Sequence, residues 1–538
     1  MSGAKNTFPN CLRIAAALLL SPTLAGAQVA CNLNDPGPRP AGNQIFYSVA
    51  DGHGNQIPDF AQQSQNGAHN SSGNILPGIP FGSPSFNFWE AGLAKFGDLV
   101  SVTGNPATEP LAGLGPRFNG NSCFMCHSQP AIGGSSPGQG TPLFVINPQI
   151  PLATFRGAQN TVPAFVTPPG PVVEARFPRA LDAANNPINV LDGSVQQLYT
   201  IKGRNDAPAP CTIVQPPFAT EIAANNVILR IPTPTFGMGF IETTPDAVLQ
   251  RNLLATSTNT LGVKGRFNTT GNDQSITRFG WKAQNSSMLM FAGEASNVEI
   301  GVTNELFPYE RRPGDCASNP TPEDFTTPTN TTSSVNPDVI GSDIELESFF
   351  MFANTPPAQC DFTSGLVGNA PQCLPLGPSA TNGKALFSQV GCNFCHSPSL
   401  TTGPSNFVDL NNATFQPFSD FAVHHMGSTL ADGVSQGGAG PDEFRTAPLW
   451  GAGQRLFFMH DGRTPSIVSA VLKGHVSPAN ICTSVTATSE TFTLNNQAIT
   501  IPAVTTQTCG SESNLVVQKF QNLTCIQQQD VINFLRSL

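Results

Sequence analysis

The sequence predicts a mainly α-helical fold with many loops, in which two similar sites lie far apart along the chain. The chain has 538 residues, among them 50 glycines and 49 prolines, and only 11% of its residues are charged. This composition favours a folded, turn-rich protein with few long solvent-exposed helices. The pattern C-x-x-C-H occurs twice, and amphipathic helical patterns flank its second copy. Together these observations predict a loop-rich, mainly helical protein with two C-x-x-C-H sites.

The N-terminus has the pattern of a secretory signal peptide. Lys5 and Arg13 supply positive charge, a short apolar segment follows, and an A-x-A cleavage site ends at Ala27. The sequence therefore predicts a signal peptide over residues 1–27, cleavage near Ala27, and a periplasmic or secreted protein. Cys31 leaves lipid attachment open as an alternative. No other stretch has the length and apolarity that a membrane span requires, so none is expected.

Charge and cysteine content limit the classes of partner and fold. The net charge of −10 and the isoelectric point near 5.2 disfavour nucleic acid and anionic membranes as partners. After signal cleavage twelve cysteines remain, of which four belong to the two motifs and eight are left, an even number typical of disulfides in an oxidising compartment. Cys360 with Cys373 and Cys482 with Cys509 would each close a local loop, and we predict both pairings.

The two C-x-x-C-H motifs admit three chemistries. A redox dithiol of the thioredoxin type requires a βαβ context that neither copy has, and structural zinc requires four ligands, commonly from paired C-x-x-C units. Covalent c-type haem accounts for every position, because two thiols one helical turn apart can bond the vinyl groups while the next residue places an imidazole under the iron. The sequence therefore predicts two covalently bound c-type haems. Their attachment and ligand residues are Cys123, Cys126 and His127 in the first motif and Cys392, Cys395 and His396 in the second.

Two amphipathic helices are predicted around the second motif. The first spans residues 381–391, with Thr381 or Asn382 as its N-cap and Gly391 as its terminator. The second spans residues 524–538, opens with a capping box and then repeats apolar residues at i, i+3, i+4 and i+7. Helices that bury such stripes on each other and on a haem predict a cytochrome c-like domain.

The rest of the chain is interpreted as an elaboration of the first haem domain. The sequence predicts two cytochrome c-like haem domains, the N-terminal one at 28–375 enlarged by long, partly β insertions and the C-terminal one at 376–538. Residues 225–236 have a β-like pattern, and residues 318–338 have the composition of an exposed loop. The Thr-rich segment 481–513 is expected to be a surface insertion closed by its own disulfide.

Four stretches carry a resemblance to a known family. "GLGPRFNGNSCFMCHSQPAIGGSSP", "FGWKAQ", "FSDFAVHHMG" and "FRTAPLWGAGQRLFFMHDGR" resemble the exported di-haem oxidoreductases described as peroxidases or thiol oxidoreductases, which are similar to the bacterial di-haem cytochrome c peroxidases and to MauG. The resemblance implies two haem domains, a small oxidant such as peroxide, and a small redox protein, a c-type cytochrome or a cupredoxin, as electron donor. It also leaves room for a calcium ion.

The resemblance assigns roles to individual residues. It implies that the haem on His127 reacts with peroxide and that the haem on His396 relays electrons to it. A tryptophan between the haems corresponds to Trp281, and the glutamate that assists O–O cleavage corresponds to Glu299, with Glu294 as a rival. An acid or base at that place moves a proton between the peroxide oxygens.

One departure from the family pattern weakens the inference of peroxide as the natural substrate. A glutamine precedes the glutamate by about ten residues in the peroxidases, whereas this chain has "SMLMF" at 287–291, with Met288 and Met290 as thioether donors that more often pack in a core. No histidine follows His127 that could be a nearby second ligand, and His53 and His69 could reach the iron only by folding back. An open sixth position at the first haem is therefore expected.

The second haem is expected to have two axial ligands. His475 lies 15 residues after His460, one residue later than the ligand register of the resembling enzymes. We predict His475 as the sixth ligand, which would give a lower potential than methionine ligation. His460 is expected to be structural or near a haem propionate, with Arg463 as the propionate's partner. The rivals of His475 are His425, Met426 and Met459.

These expectations lead to one leading function and two alternatives. In the leading interpretation electrons enter at the C-terminal haem, pass by Trp281 and reduce an oxidant, first of all peroxide, at the N-terminal haem. The alternatives are a non-enzymatic di-haem electron carrier and a MauG-like enzyme that oxidises a protein substrate.

Overall fold

The structure is a computed structural model. It describes residues 31–38, 74–105, 109–139, 141, 143–317, 319, 321–326, 341–357, 359, 377–478 and 510–538, together with short strands at 48–50, 56–58, 366–367, 370–371, 482–487, 490–494, 497–501 and 504–509. The chain divides into the units Met1–Asn32 and Leu33–Leu538, and every element below belongs to the second unit. The predicted signal peptide, His53, His69, and the pair Cys360 and Cys373 lie outside the described residues. No helix in the described part is long and apolar enough to cross a membrane.

Among the described residues the helices are short apart from five that have eleven residues or more. In chain order they are α1 Pro84–Gly97, α2 Cys123–Cys126, α3 Gln149–Leu152, α4 Phe218–Ala223, α5 Met238–Glu242, α6 Asp246–Ser257, α7 Met288–Ala295, α8 Asp343–Ala353, α9 Gly377–Val390, α10 Ile467–Ser469, α11 Asn514–Gln521 and α12 Cys525–Ser537. Two π-helical turns, Ser296–Ile300 and Ala470–Gly474, continue α7 and α10, and 3₁₀ turns form at Phe155–Gly157, Cys392–Phe394, Val408–Leu410 and Ala452–Gln454.

The strands have two to six residues and form small sheets. They are β1 Ser48–Ala50, β2 Gln56–Pro58, β3 Val100–Ser101, β4 Thr103–Asn105, β5 Glu109–Ala112, β6 Arg117–Phe118, β7 Glu174–Arg176, β8 Arg179–Leu181, β9 Pro187–Leu191, β10 Val195–Gln196, β11 Tyr199–Thr200, β12 Ile228–Arg230, β13 Asn268–Thr269, β14 Ile276–Thr277, β15 Leu366–Val367, β16 Ala370–Pro371, β17 Leu400–Thr401, β18 Thr414–Phe415, β19 Val423–His425, β20 Glu443–Arg445, β21 Cys482–Ala487, β22 Glu490–Leu494, β23 Gln497–Ile501 and β24 Val504–Cys509. Three strands join in the orders β3-β5-β4 and β10-β7-β12, and the other sheets are pairs.

Helices α1 and α8 form the N-terminal helix pair. Ser83 caps α1 by accepting from the Phe86 amide, and Ser342 opens α8 with a capping box. At both N-termini a serine side chain therefore accepts from a backbone N–H group that has no partner within its helix. The helices cross where α1 has Gly92, because a Cβ there would lie 2.2 Å from the carbonyl oxygen of Leu346. A buried apolar cluster surrounds this crossing and includes residues from Ile75 to Trp450.

Helices α9 and α12 form the C-terminal helix pair, which encloses the second buried cluster. The capping box at Thr524 and the terminator Gly391, which has a φ of +101°, are confirmed. The N-cap prediction was wrong, because α9 begins at Gly377 and Thr381 and Asn382 lie inside it. Pro378 does not prevent this earlier start, since a proline in the first helical turn lacks only a hydrogen bond that the turn would not make.

Between the two helices of each pair, the described chain forms short helices and strands joined by loops. The β-like segment 225–236 contributes only the strand β12. Cys211 and Cys316 form a disulfide that closes 105 residues, a pairing that the sequence did not indicate. In the segment 481–513 the strands β21 and β24 place Cys482 directly opposite Cys509 in an antiparallel register.

Candidate functional site

Each C-x-x-C-H motif lines its own large cavity. The N-terminal cavity contains Cys123, Cys126 and His127 and has a volume of about 1170 Å³ with its open mouth included. The C-terminal cavity contains Cys392, Cys395 and His396 and has a volume of about 1430 Å³ on the same basis. Both are large enough for a cofactor of substantial size.

The four motif cysteines are the unpaired thiols of the described chain. Burial raises the pKa of each of them, opposite to the lowered pKa that activates a redox dithiol. Within the described residues, the group of His, Cys, Asp and Glu side chains close enough to hold a metal is Cys211, Asp315 and Cys316, away from both motifs, and its cysteines are disulfide-bonded. The structure therefore favours neither the dithiol nor the zinc alternative for the motifs.

His127 stands at the end of the one-turn helix α2 with a fixed ring orientation. Its Nδ1 lies 3.0 Å from the carbonyl oxygen of Gly134, which selects the tautomer that leaves Nε2 without a proton. Burial lowers the pKa of His127 to about 4, so the imidazole stays neutral, as a metal ligand must be. The Phe96 ring of α1 packs edge-on to it at 6.0 Å.

His396 has the same arrangement in the C-terminal cavity. Gly391 ends α9, a 3₁₀ turn carries Cys392, and the His396 Nδ1 lies 2.9 Å from the carbonyl oxygen of Phe418. Burial lowers the pKa of His396 to about 3. The Phe387 ring of α9 lies 6.2 Å from the imidazole.

His475 faces His396 across the C-terminal cavity. The two ring centres are 6.3 Å apart, which matches two imidazoles on one metal ion, since each metal–nitrogen distance is about 2 Å. The His475 Nδ1 lies 2.8 Å from the Ala470 carbonyl oxygen and leaves Nε2 for a ligand. The π-helical turn Ala470–Gly474 adds one residue to the helix before His475 and thereby explains the one-residue shift from the expected register.

The rivals of His475 are placed differently. Met426 and Met459 also line the C-terminal cavity. His425 does not line it, because its ring is held by the carboxylates of Asp442 and Glu443 at 3.0 and 3.2 Å.

Trp281 lies between the two cavities. Of all described residues it alone lines both. Its Nε1 donates to the carbonyl oxygen of Ile231 at 2.8 Å, which holds the indole, and its backbone carbonyl accepts from the Arg445 amide at 2.8 Å, which holds the main chain. The ring of His460 packs edge-on against it at 6.4 Å.

Glu299 lines the N-terminal cavity from the π-helical turn Ser296–Ile300, a local structure often found at functional sites. The Asn119 Nδ2 donates to its Oε2 at 2.7 Å, and a second carboxyl group, that of Glu174, shares a hydrogen bond with it. Burial and Glu174 raise the pKa of Glu299 well above its usual value, so Glu299 holds the shared proton. Burial also raises the pKa of Glu174, but Arg176 and the hydrogen bond from Glu299 lower it by more, so the pKa of Glu174 lies below its usual value.

Sequence reasoning missed Glu174, Arg176 and Arg230, which reach the same cavity. Glu174 and Arg176 alternate on β7 and therefore share one face, and Arg230 on β12 is the cross-strand partner of Glu174. The Arg176 guanidinium pairs with the Glu174 carboxylate. The only local signal was the alternation in "VEARF", which does not reveal the partner strand.

Of the other sequence candidates for this cavity, Glu294 lines it, whereas Met288 and Met290 do not. Glu294 lines the cavity beside Glu299 and accepts from the Asn285 amide at 2.5 Å. Met288 is buried in the core, and Met290 is 39% exposed; neither lines the N-terminal cavity. Met351 of α8 does line it.

Two buried guanidinium groups line the C-terminal cavity without a carboxylate partner. Arg445 and Arg455 form no ion pair with any described residue, and the buried Arg455 Nε has no hydrogen-bond partner. A buried cation requires an anion, and the carboxylates of a haem would supply one. The expectation for Arg463 was wrong, because its guanidinium binds Asp461 at 2.7 Å and lies outside the cavity lining. His460 does line the C-terminal cavity, as expected for a residue near a propionate.

The donor set fits two haem groups. Each cavity offers two free thiols one turn apart and an adjacent imidazole whose Nε2 is available. The C-terminal cavity adds the facing imidazole of His475 and two cations without a carboxylate partner among the described residues. The N-terminal cavity has one imidazole among its lining residues.

The chain matches a known protein family. The family described as "Di-haem oxidoreductase, putative peroxidase" matches residues 199–485, a little over half of the chain. The matched range contains Trp281, Glu299, the second C-x-x-C-H motif and His475, and the first motif precedes it. Among curated proteins no match is found.

Proposed function

Because the chain belongs to the di-haem oxidoreductase family, we propose that it is an exported, periplasmic enzyme that reduces peroxide at the N-terminal cavity with electrons received at the C-terminal cavity. The family makes the protein an oxidoreductase with haem cofactors. The direction of electron flow and the oxidant are our proposal. The observation that carries it is the contrast in ligand supply: one imidazole beside an acid in the first cavity, two facing imidazoles in the second.

The four free thiols would hold the haems by thioether bonds, and the histidine after each pair would be the proximal ligand. When bound, the two haems supply reversible one-electron chemistry at iron, which the protein tunes by ligand identity and surroundings. The overall reaction consumes H₂O₂, two electrons and two protons and yields two water molecules. The calcium ion that the resemblance allows stays a prediction.

Glu299 would manage the protons of this reaction. In its neutral form it can protonate the departing oxygen of peroxide, and the Glu174 carboxylate is placed to return a proton to it through their hydrogen bond. Asn119 keeps the Glu299 carboxyl oriented, and Arg176 keeps Glu174 ionised, so the acid and the base of the pair stay distinct.

Trp281 would carry electrons between the cavities. Its two backbone hydrogen bonds hold the residue in the shared wall, and no rearrangement is needed to bring it near either cavity. The electrons would come from a small redox protein, a c-type cytochrome or a cupredoxin, as expected for an exported di-haem enzyme.

Spectroscopy and turnover of the same preparation test the proposal. We expect the electron paramagnetic resonance spectrum of the purified protein to show one high-spin and one low-spin haem in equal amounts. We also expect peroxide consumption to depend on reduced cytochrome c. Two low-spin haems in every redox state, together with electron exchange but no peroxide consumption, would instead identify a non-enzymatic carrier.

Among the described residues that line the N-terminal cavity, the thioether of Met351 could produce such a carrier. Met351 lines the N-terminal cavity, so the Met351→Leu variant should leave the high-spin signal of the wild-type protein unchanged. If instead a low-spin wild type became high-spin on this substitution, Met351 would be a ligand and the open-site proposal would be wrong.

A further inference from the structure

A completely buried cation directly follows Trp281 in the chain. The side chains of Lys282 and Asp432 have no exposed surface, and the Lys282 Nζ lies 3.1 Å from the Asp432 Oδ1. The backbone carbonyl oxygens of Gly440 and Pro441 accept from the same Nζ at 2.9 and 3.1 Å. All three ammonium hydrogens therefore have acceptors. Burial lowers the pKa of Lys282 to about 8, which leaves the ammonium charged at neutral pH.

The ammonium faces an aromatic stack that ends at Trp281. The Lys282 Nζ lies 3.8 Å from the centre of the Phe444 ring, within the range of a cation–π interaction. Phe444 stacks on His460 with ring centres 4.3 Å apart, and His460 contacts the Trp281 indole edge-on. Phe444, His460 and Trp281 all line the C-terminal cavity, so the charge lies directly behind its wall.

The same cluster reaches the N-terminal cavity on its other side. The second Asp432 oxygen, Oδ2, lies 2.6 Å from the Arg230 Nη2, and Arg230 lines the N-terminal cavity. Two cations and one carboxylate give the Lys282–Asp432–Arg230 cluster one net positive charge. The cluster therefore spans the same interval as Trp281, with one end behind each cavity.

Stability alone does not account for this cluster. Buried ion pairs can often be replaced by apolar residues of similar volume with little loss of stability, because desolvation offsets their attraction. Buried charges are, however, poorly screened by solvent and salt, so their effect on nearby electron acceptors persists.

Building on the proposed function, we propose that Lys282 is a positioning residue for electron transfer: its buried ammonium is a built-in cation that sets the potential at Trp281 and at the wall of the C-terminal cavity. A positive charge there favours the state with one more electron. Asp432 moderates the charge and aligns the ammonium with the Phe444 stack.

Two variants of opposite charge test this proposal. Lys282→Met removes the cation and leaves Asp432 paired with Arg230, whereas Asp432→Asn removes the anion and leaves Lys282 its two carbonyl acceptors. The midpoint potentials of both haems are measured by optical redox titration of the holoprotein. We expect Lys282→Met to lower the potential of the C-terminal haem and Asp432→Asn to raise it. Lys519→Met, which removes an exposed lysine of α11, should leave both potentials unchanged.

The opposite signs separate electrostatics from structural damage. Shifts in the same direction in both charge variants, or no shift in either at full haem content, overturn the proposal. The titration needs no peroxide, so its outcome is independent of turnover. A wild type that fails to consume peroxide while the variants shift in opposite directions would contradict the proposed function and support this inference.

Discussion

The two helix pairs support their cavities in nearly the same way. Gly92 of α1 meets the Leu346 carbonyl, and Gly383 of α9 meets the Asp530 carbonyl, so in both pairs a glycine allows the helices to cross closely. Four residues after each glycine a phenylalanine packs on the motif histidine, at 6.0 Å in the first pair and 6.2 Å in the second. The repeated scaffold fixes where each motif histidine stands.

The cavities differ in what the rest of the chain adds to them. The inner wall of the N-terminal cavity has buried carboxyl groups. One of them, Glu347 of α8, occupies the helix position that Val531 occupies in α12. The C-terminal cavity receives the facing imidazole of His475, and its lining carboxyl group, that of Glu512, is paired with His424 at 2.9 Å. The two cavities thus share one kind of support, and they differ through Glu347 within α8 and through residues from segments outside the helix pairs, among them Glu174, Glu299 and His475.

The largest expected effect follows from removing Glu299, the carboxyl group of the first cavity whose pKa is raised well above its usual value. Glu299→Gln keeps the size and the acceptor oxygen but cannot donate a proton as the acid does. We expect peroxide turnover to fall by about 10²- to 10⁴-fold, the usual contribution of a general acid or base. Steady-state assays with reduced cytochrome c measure this loss, and the spectrum of the C-terminal haem should not change.

Glu294→Gln is the matched control, since Glu294 lines the same cavity but is not part of the carboxyl pair. We expect it to retain most of the activity. If Glu294→Gln lost more activity than Glu299→Gln, the acid would be Glu294.

The second-largest effect is expected from a substitution that makes the ligand supply of the C-terminal cavity resemble that of the N-terminal cavity. His475→Ala removes the imidazole that faces His396, so one of the two haems should change from low spin to high spin and begin to bind cyanide. Optical and electron paramagnetic resonance spectra report this change. Met426→Leu, at a rival ligand in the same cavity, should leave the wild-type spectrum unchanged. A high-spin haem in that variant would show that Met426 is the ligand instead of His475.

The repeated scaffold was partly predictable from the sequence, because its signals are local. The C-x-x-C-H motifs, the terminator Gly391 and the capping box at Thr524 each occupy a few consecutive residues. The start of α9 was not found, since Gly377 and Pro378 are usually signs of a loop and only their place in the first turn makes them compatible with a helix.

The residues that distinguish the cavities depend on contacts between distant segments. Glu174 meets Glu299 only because β7 and the π-helical turn Ser296–Ile300 converge, and no spacing in the chain encodes this. The disulfide between Cys211 and Cys316 is equally non-local. Trp281, Glu299 and His475 were predicted through the family resemblance. His475 lies one residue beyond the ligand register of the resembling enzymes, a shift that the π-helical turn Ala470–Gly474 accounts for.

The third expected effect tests whether the two helix crossings are equivalent. Gly92→Ala and Gly383→Ala each place a methyl group against backbone, 2.2 and 2.0 Å from a carbonyl oxygen, which forces the helices apart. We expect each substitution to lower the free energy of unfolding by about 1–3 kcal/mol, as measured by urea denaturation. Gly271→Ala, where no atom lies within 4 Å of the new methyl, should change it by less than about 0.5 kcal/mol. A loss in only one pair would show that the crossings are not equivalent.

The smallest expected effect concerns a link that strengthens only the C-terminal pair. Asp35 accepts from the Arg536 Nε and Nη2 of α12 at 2.7 and 2.9 Å and from the Ile467 amide at 2.8 Å, whereas the N-terminal pair has the partly exposed ion pair of Lys95 and Asp343.

Burial raises the pKa of Asp35, but Arg536 and the backbone amides lower it further, so its net shift is downward. The stability that Asp35 contributes is therefore present above its unfolded pKa of 3.8 and lost as the pH falls through the lower folded value. We expect Asp35→Asn to lower the free energy of unfolding by about 1 kcal/mol at pH 7 and by less near pH 3, measured by urea denaturation at both pH values. A difference that stayed constant between these pH values would assign the effect of Asp35 to packing and leave the two helix pairs alike in their electrostatics.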